Sequence, residues 1–213
     1  MVVGFAAALA EPLACCLNGY ERALYLENPG GTVVIFGAGP IGLMLLILGK
    51  QLYGAEKVIM IEPSQVRRTL AVSLGADCVI DPSAEDVVAN VKRLTQGQGA
   101  QAIFTACPAV ETHIQAIEMV AKRGVVNLFG GLPKSEPPIT LMSNFLHYRE
   151  AYVTGSHGST PQQHAKALDL IETRTVNVKP LITETIALDS IHKGITLASS
   201  GTTAKIVICP VNL

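Results

Sequence analysis

Six consecutive residues, Gly37-Ala38-Gly39-Pro40-Ile41-Gly42, have the types and spacing best suited to chemistry. The apolar run Val33-Val34-Ile35-Phe36 precedes them and the Leu-rich stretch from Leu43 follows. Glycines at the first, third and sixth places suit a turn from a buried strand into a helix whose unpaired N–H groups face a pyrophosphate. Gly37 permits the tight turn, Gly39 lets backbone approach the phosphates, and Gly42 lets the helix pack close to the sheet. Pro40 and Ile41 open that helix, with Pro where a missing N–H costs nothing. Glu62 ends the next apolar run, 20 residues after Gly42, where a carboxylate can accept the hydroxyls of an adenosine ribose. A negative charge there repels a 2′-phosphate, so NAD is expected in preference to NADP. Arg67 lies five residues further on. It either stacks on adenine or reaches a ribose, or it is a solvated helix-surface residue.

The elements that must position these residues follow from hydrophobic patterning. Strands are expected at Thr32–Gly37, Val58–Glu62, Cys78–Ile80, Ala102–Ala106, Gly124–Phe129 and Ala151–Gly155. Helices are expected between them at Pro40–Tyr53, Ser64–Leu74, Ala84–Thr95, Ala109–Ala121 and Ser143–His147. Strand–helix alternation of this kind predicts an α/β fold of the Rossmann type, a doubly wound parallel six-stranded sheet in the order 3-2-1-4-5-6. Two flanking segments stand outside it. A helix over roughly Glu11–Leu26 precedes the first strand. After the sixth come a helix Pro161–Thr173, an extended run Leu181–Leu188, a helix opened by Asp189 or Ser190, and a strand Lys205–Cys209 with no obvious partner in the parallel sheet. The expected division is therefore residues 1–28, 29–160 and 161–213.

Bulk properties narrow the class. With 49% hydrophobic and 15% charged residues among 213, the chain reads as folded and globular. The net charge is −1 and no basic run exceeds Arg67-Arg68, so neither nucleic acid nor an anionic membrane is expected as partner. Thr32–Gly49 is an 18-residue stretch without charge, but glycines and a proline in its middle favour strand, turn and helix over a membrane span. Met1–Ala10 is apolar yet lacks the basic start of an export signal. The five cysteines are odd in number and show no C-x-x-C spacing, which favours reduced thiols and a cytoplasmic location.

Taken together, Ala7-Ala8-Leu9-Ala10-Glu11-Pro12-Leu13, the glycine turn, Leu74-Gly75-Ala76-Asp77, Gly130-Gly131-Leu132-Pro133 and Ala204-Lys205-Ile206-Val207-Ile208 resemble the zinc-dependent medium-chain alcohol dehydrogenases. The resemblance is to their polyol (sorbitol or L-iditol) and threonine dehydrogenase branch. It implies that Glu11 lies at a catalytic zinc, as a ligand or in the substrate's proton path; residue type alone would make it a helix first-turn carboxylate. It implies that Phe129-Gly130-Gly131 line a nicotinamide and that Ser156 and His157 flank nicotinamide and substrate. Sorbitol enzymes carry Phe-Arg-Tyr-like residues at the latter place, so their substrate contacts do not transfer. Lys205 matches a residue that approaches cofactor phosphates, or sits at a strand rim.

The resemblance also implies an N-terminal GroES-like catalytic domain with a G-H-E motif and a four-cysteine lobe, none of which is in this sequence. A tetrahedral zinc needs three protein ligands, so zinc is expected in a full-length enzyme rather than on this chain. The implied activity is NAD-dependent oxidation of a polyol or secondary alcohol, this chain being a truncated, cofactor-binding portion in a homodimer or homotetramer. The alternatives are a non-catalytic NAD(H)-binding or oligomerisation module and a threonine 3-dehydrogenase.

Overall fold

The structure, a computed structural model, describes residues 4–23, 30–136 and 138–210. A 3-10 turn, Gly4–Leu9, leads into helix α1, Ala10–Arg22. Then β1 (Thr32–Phe36), α2 (Pro40–Gln51), β2 (Lys57–Ile61), α3 (Gln65–Ser73), β3 (Cys78–Ile80) and α4 (Val87–Leu94) form the first winding. The second comprises β4 (Ala100–Thr105), α5 (Val110–Met119), β5 (Val120–Leu128), α6 (Ser143–Arg149) and β6 (Tyr152–Gly155). All five pairings are parallel and the order is β3-β2-β1-β4-β5-β6, the doubly wound sheet that the alternation predicts.

The strands are apolar without interruption because both faces are covered. Val33, Ile35, Val58, Met60 and Phe104 point to the layer of α1 and α2. Val34, Phe36, Ile59, Ile61 and Ile103 point to that of α4 and α5. Helix α2 is buried from Gly42 to Gly49, between the sheet on one side and α1 on the other. The uncharged Thr32–Gly49 stretch is thus one strand, one turn and one core helix. Among the described residues no helix is long and apolar enough to cross a membrane.

Helix α1 is part of this core. Tyr20 stacks on Tyr53 with ring centroids 4.3 Å apart, tilts against Phe104 at 4.6 Å, and donates its hydroxyl to the Leu45 carbonyl at 2.9 Å. A Cβ on Gly49 would lie 2.6 Å from that hydroxyl, so the close approach of α1 to α2 depends on glycine there. Helix α7, Pro161–Glu172, packs across α1 and is opened by a capping box between Thr160 and Gln163.

Several boundaries differ from the sequence expectation. Helix α1 ends at Arg22, and residues 24–26 of the expected helix lie outside the described residues. Helix α4 starts at Val87 because Asp86 caps it by accepting from Ala89 N, while Ala84 is used in the turn closed on Asp81. Strand β5 begins at Val120, taking residues expected in α5. The backbones of Gly99 and Gly124 approach the β5 and β4 starts so closely that a Cβ would sit 2.5 Å from the Met119 carbonyl and 2.8 Å from the Ala100 carbonyl, respectively. The last strand, as expected, has no place in the six-stranded sheet. β8 (Lys205–Cys209) pairs in parallel with β7 (Ile182–Ala187) in a sheet of its own, with α8 (Ile191–Ser199) as the crossover. Gly194 makes that unit possible, because a side chain there would run into Ile186 and Ile208.

Leu13 is wholly buried in α1. Leu13→Ala should therefore cost about 2–5 kcal/mol, the range for a core leucine truncation. Urea unfolding checks this, and a loss below about 1 kcal/mol would mean that α1 does not share the core.

Candidate functional site

Two contacts build the glycine turn, and its middle glycine leaves it open. Gly37 has φ +93°, a conformation that side chains disfavour, and its N–H donates to the Ile61 carbonyl at 2.8 Å, tying the end of β1 to the end of β2. A Cβ on Gly42 would collide with the Gly37 carbonyl, so the start of α2 folds back onto the turn itself. Gly39 meets nothing within 4 Å of an added Cβ, so its backbone faces open space. Gly39 is also the N-cap of α2, with Pro40 at the first helical position. The free N–H groups of the first turn, with the positive end of the helix dipole, point where an anion would sit.

Glu62 is buried (4% exposed) at the carboxyl end of β2. One carboxylate oxygen accepts Ala38 N of the glycine turn at 2.7 Å and the other accepts Ser64 N at 2.9 Å. Each oxygen keeps a further acceptor site. Beneath it Arg68, buried, donates Nη1 to the Glu62 and Pro63 carbonyls and pairs Nη2 with Asp81 at 2.9 Å, stapling the ends of β2 and β3. Arg67 points away from Glu62, its Nε donating to the Gly201 carbonyl at 3.3 Å. That contact brings α3 to the turn preceding β8, the strand that Lys205 opens.

Strand order reverses between β1 and β4, and ligands of such sheets bind outside the carboxyl ends at that point. Ala106 N donates to the Phe36 carbonyl at 2.9 Å. A Cβ on Gly37 would be 3.4 Å from Cys107 Cβ, and one on Gly130 would be 3.1 Å from the Cys107 backbone. The turn, Cys107 and Gly130 therefore line one edge of a single crevice, with Gly131 facing open space beyond. Burial pushes the Cys107 thiol up from its ordinary range, which keeps it protonated. Gly130 is held from below by its N–H on the Thr105 carbonyl at 2.6 Å and by a hydrogen bond between its backbone and the buried His113 imidazole.

The loop after β6 completes the edge. Leu128 and Gly155 are paired, so Phe129–Gly131 and Ser156–Gly158 leave the sheet side by side. The Ser156 hydroxyl donates to Asn127 Oδ1 at 3.0 Å, and His157 is exposed. Glu11 is exposed in the first turn of α1. The Cys15 thiol lies 3.4 Å from Glu11 and 3.7 Å from the Ser159 hydroxyl, which meets His164 Nε2 at 2.8 Å. Glu11 thus shares a helix face with the loop that carries Ser156 and His157. A zinc would need three donors. Among the described residues no group of three or more His, Cys, Asp or Glu side chains comes together, so they do not fit one.

Arg68, His113, Asn18 and Asn127 were not singled out as site residues in the sequence. The available signal was a polar residue inside an apolar run, as at Val125-Val126-Asn127-Leu128. A cavity of about 480 Å³ under the end of α7, lined by Ala6, Ile171 and Val176 among others, contains none of the crevice residues.

Residues 40–173 match a family model described as zinc-binding dehydrogenase. The chain is 36% identical over 205 residues to an L-threonine 3-dehydrogenase of Caldanaerobacter subterraneus subsp. tengcongensis, covering 95% of this chain and 57% of that protein. It is 30% identical to a sorbitol dehydrogenase of Halalkalibacterium halodurans, covering 97% and 59%. A Sinorhizobium meliloti 1021 protein classed with the zinc-binding dehydrogenases and solved bound to NADP superposes with a TM-score of 0.86 at 31% identity, covering 95% of this chain and 58% of that one. The chain therefore spans less than two thirds of the length of these relatives.

Burial holds the His113 imidazole below the ordinary histidine value of 6.5, the Gly130 hydrogen bond opposing it only in part. The folded state thus prefers neutral His113. Its contribution to stability is complete above the unfolded value and is lost as the pH falls below it through the lowered folded value. The thermal midpoint should drop between pH 7 and 5, and His113→Gln should flatten that drop while lowering the midpoint at pH 7.5. Parallel pH curves for the two proteins would rule this out.

Proposed function

This chain belongs to the zinc-binding dehydrogenase family, and we propose that it is the cofactor-holding portion of an NAD-dependent dehydrogenase acting on a polyol or secondary alcohol. The observation that carries the reading is the pairing of an open phosphate turn, Gly37–Gly42, with the Glu62 carboxylate bonded to that same turn. The α2 N–H groups bind the pyrophosphate. Glu62 takes the adenosine ribose hydroxyls on its spare acceptor sites and disfavours a 2′-phosphate by charge. Arg67 moves from Gly201 to the adenosine, and Lys205 neutralises phosphate charge. Phe129, Gly130 and Gly131 on one side and Ser156 and His157 on the other orient the nicotinamide, which when bound accepts a hydride from the alcohol. Glu11 stands at the substrate end, as a metal ligand or in the proton path. The remaining zinc donors come from outside the residues described, so this chain alone holds cofactor without turnover.

The same reading divides the chain into residues 1–28, 29–160 and 161–213, the first and last completing a catalytic domain, in a cytoplasmic homo-oligomer. The exposed side chains of Met142, Tyr148 and Tyr152 beside the β6 edge support a subunit contact there. The second reading is a cofactor-binding module without catalysis. Both require cofactor binding and part over activity.

Nicotinamide fluorescence reads binding directly, since the chain has no tryptophan. NADH should bind at least about tenfold more tightly than NADPH, the ratio for one unfavourable charge contact of about 1.4 kcal/mol. Glu62→Gln should bring the two affinities together. Gly39→Val should abolish binding of both with an unchanged thermal midpoint, because its side chain enters open space. Equal wild-type affinities would remove NAD preference from the proposal, and a Gly39→Val chain that binds normally would remove the turn.

A further inference from the structure

Asn127 lies fully buried near the carboxyl end of β5, in a strand otherwise apolar at its buried positions. An amide in such a place costs free energy unless its donors and acceptor are used. Both ends are used. Nδ2 donates to the Gly19 carbonyl of α1 at 3.1 Å, across 108 residues of chain, and Oδ1 accepts the Ser156 hydroxyl at 3.0 Å. The neighbouring contacts converge on the same junction. The Phe129 ring lies against Gly19, where a Cβ would come within 2.8 Å of it. Asn18 Nδ2 donates to the Gly158 carbonyl at 3.0 Å, while Gln163 of α7 donates to Asn18 Oδ1 at 3.3 Å and to Glu21 at 2.6 Å. Helix α1, the end of β5 and the loop after β6 thus meet in one network, at the nicotinamide end of the crevice and away from Glu62.

We infer that Asn127 is a positioning residue for the nicotinamide half of the cofactor. By holding the Ser156 hydroxyl and anchoring to α1 through Gly19, it fixes the distance between the Ser156–Gly158 loop and the Phe129–Gly131 segment. The inference rests on the cofactor reading above. The adenosine half has separate machinery in Gly37–Gly42, Glu62 and Arg67, none of which bonds to Asn127. Losing Asn127 therefore weakens ligands that carry a nicotinamide and spares those that do not.

The test compares NADH with ADP-ribose by calorimetry on the wild-type chain, Asn127→Ala, Ser156→Ala, Ser156→Thr and the double alanine variant. Asn127→Ala and Ser156→Ala should each weaken NADH by about fivefold, the factor for one neutral hydrogen bond, with ADP-ribose affinity within twofold of wild type. Ser156→Thr keeps the hydroxyl and should recover most of the NADH affinity that Ser156→Ala loses. The double variant should be no weaker than the worse single one, because both break the same bond. Bound NADH in Asn127→Ala should also emit closer to the wavelength of free NADH. Equal losses for both ligands would assign Asn127 a structural role alone and overturn the inference, as would additive single losses or an unchanged NADH to ADP-ribose ratio. A wild-type chain that binds neither ligand would overturn the cofactor reading itself, and this inference with it. Asn127→Ser, which keeps polarity at a smaller size, gives the same readout if Asn127→Ala does not fold.

Discussion

The crevice depends on a contact that no side chain could survive, in which the first turn of α2 sits against the carbonyl of Gly37 so closely that residue 42 has no room for a Cβ. That approach aims the helix N-terminus across the carboxyl ends of β1 and β4 rather than past them. The turn is then locked from the neighbouring strand, by Gly37 N on Ile61 and Ala38 N on Glu62. Its φ of +93° at Gly37 is unfavourable for residues with a side chain and free for glycine, and the two hydrogen bonds fix the turn in that geometry. Glu62 is consequently part of the scaffold and part of the proposed binding surface at once. Substituting it should loosen the turn as well as change which cofactor is preferred.

Helix α1 shows how a segment outside the sheet becomes part of the site. Its apolar face, with Leu13, Leu17 and Tyr20, joins the core on α2 and on the sheet. Its small residue Gly19 lets Phe129 and Asn127 reach the helix backbone. Its polar edge, with Asn18 and Glu21, takes up Gln163 and Gly158. The Lys166–Glu21 pair on this edge is partly exposed and adds little. The buried amides, which have no water to fall back on, set the spacing.

Much of this was legible in the sequence, for a common reason. Strand order, the glycine turn and Glu62 are encoded locally, by period, by punctuation and by a fixed offset from Gly42. The Leu43–Leu48 run also reads correctly as a core helix once the glycines before it are weighed. What was not legible depends on partners far away in the chain. Asn127 meets Gly19 and Ser156, Arg67 meets Gly201, and nothing within a window around either residue announces the other. The identity of β8's partner is not legible for the same reason. Its pairing with β7 runs through a helical crossover, so neither strand carries a hairpin signal, and Gly194 identifies the contact only once α8 is placed over Ile186 and Ile208. Boundaries failed where a capping side chain such as Asp86 competed with helix propensity.

The two ends of the crevice are built on different physics, and this bears on how it would handle a ligand. At the glycine turn, charge and helix dipole are offered to an anion by backbone groups tied to the ends of β1 and β2. At the other end the loop after β6 is held to the buried amides of Asn127 and Asn18 by single neutral hydrogen bonds of about 1 kcal/mol each. The loop carrying Ser156 and His157 is therefore the softer wall, and it lies against the face of α1 that presents Glu11. A dinucleotide should anchor first at the rigid end, where its binding energy is largest, and then order the softer wall around its second half. In that sequence Asn127 limits how far the loop has to travel, because its hydrogen bond to Ser156 ties the loop to the end of β5.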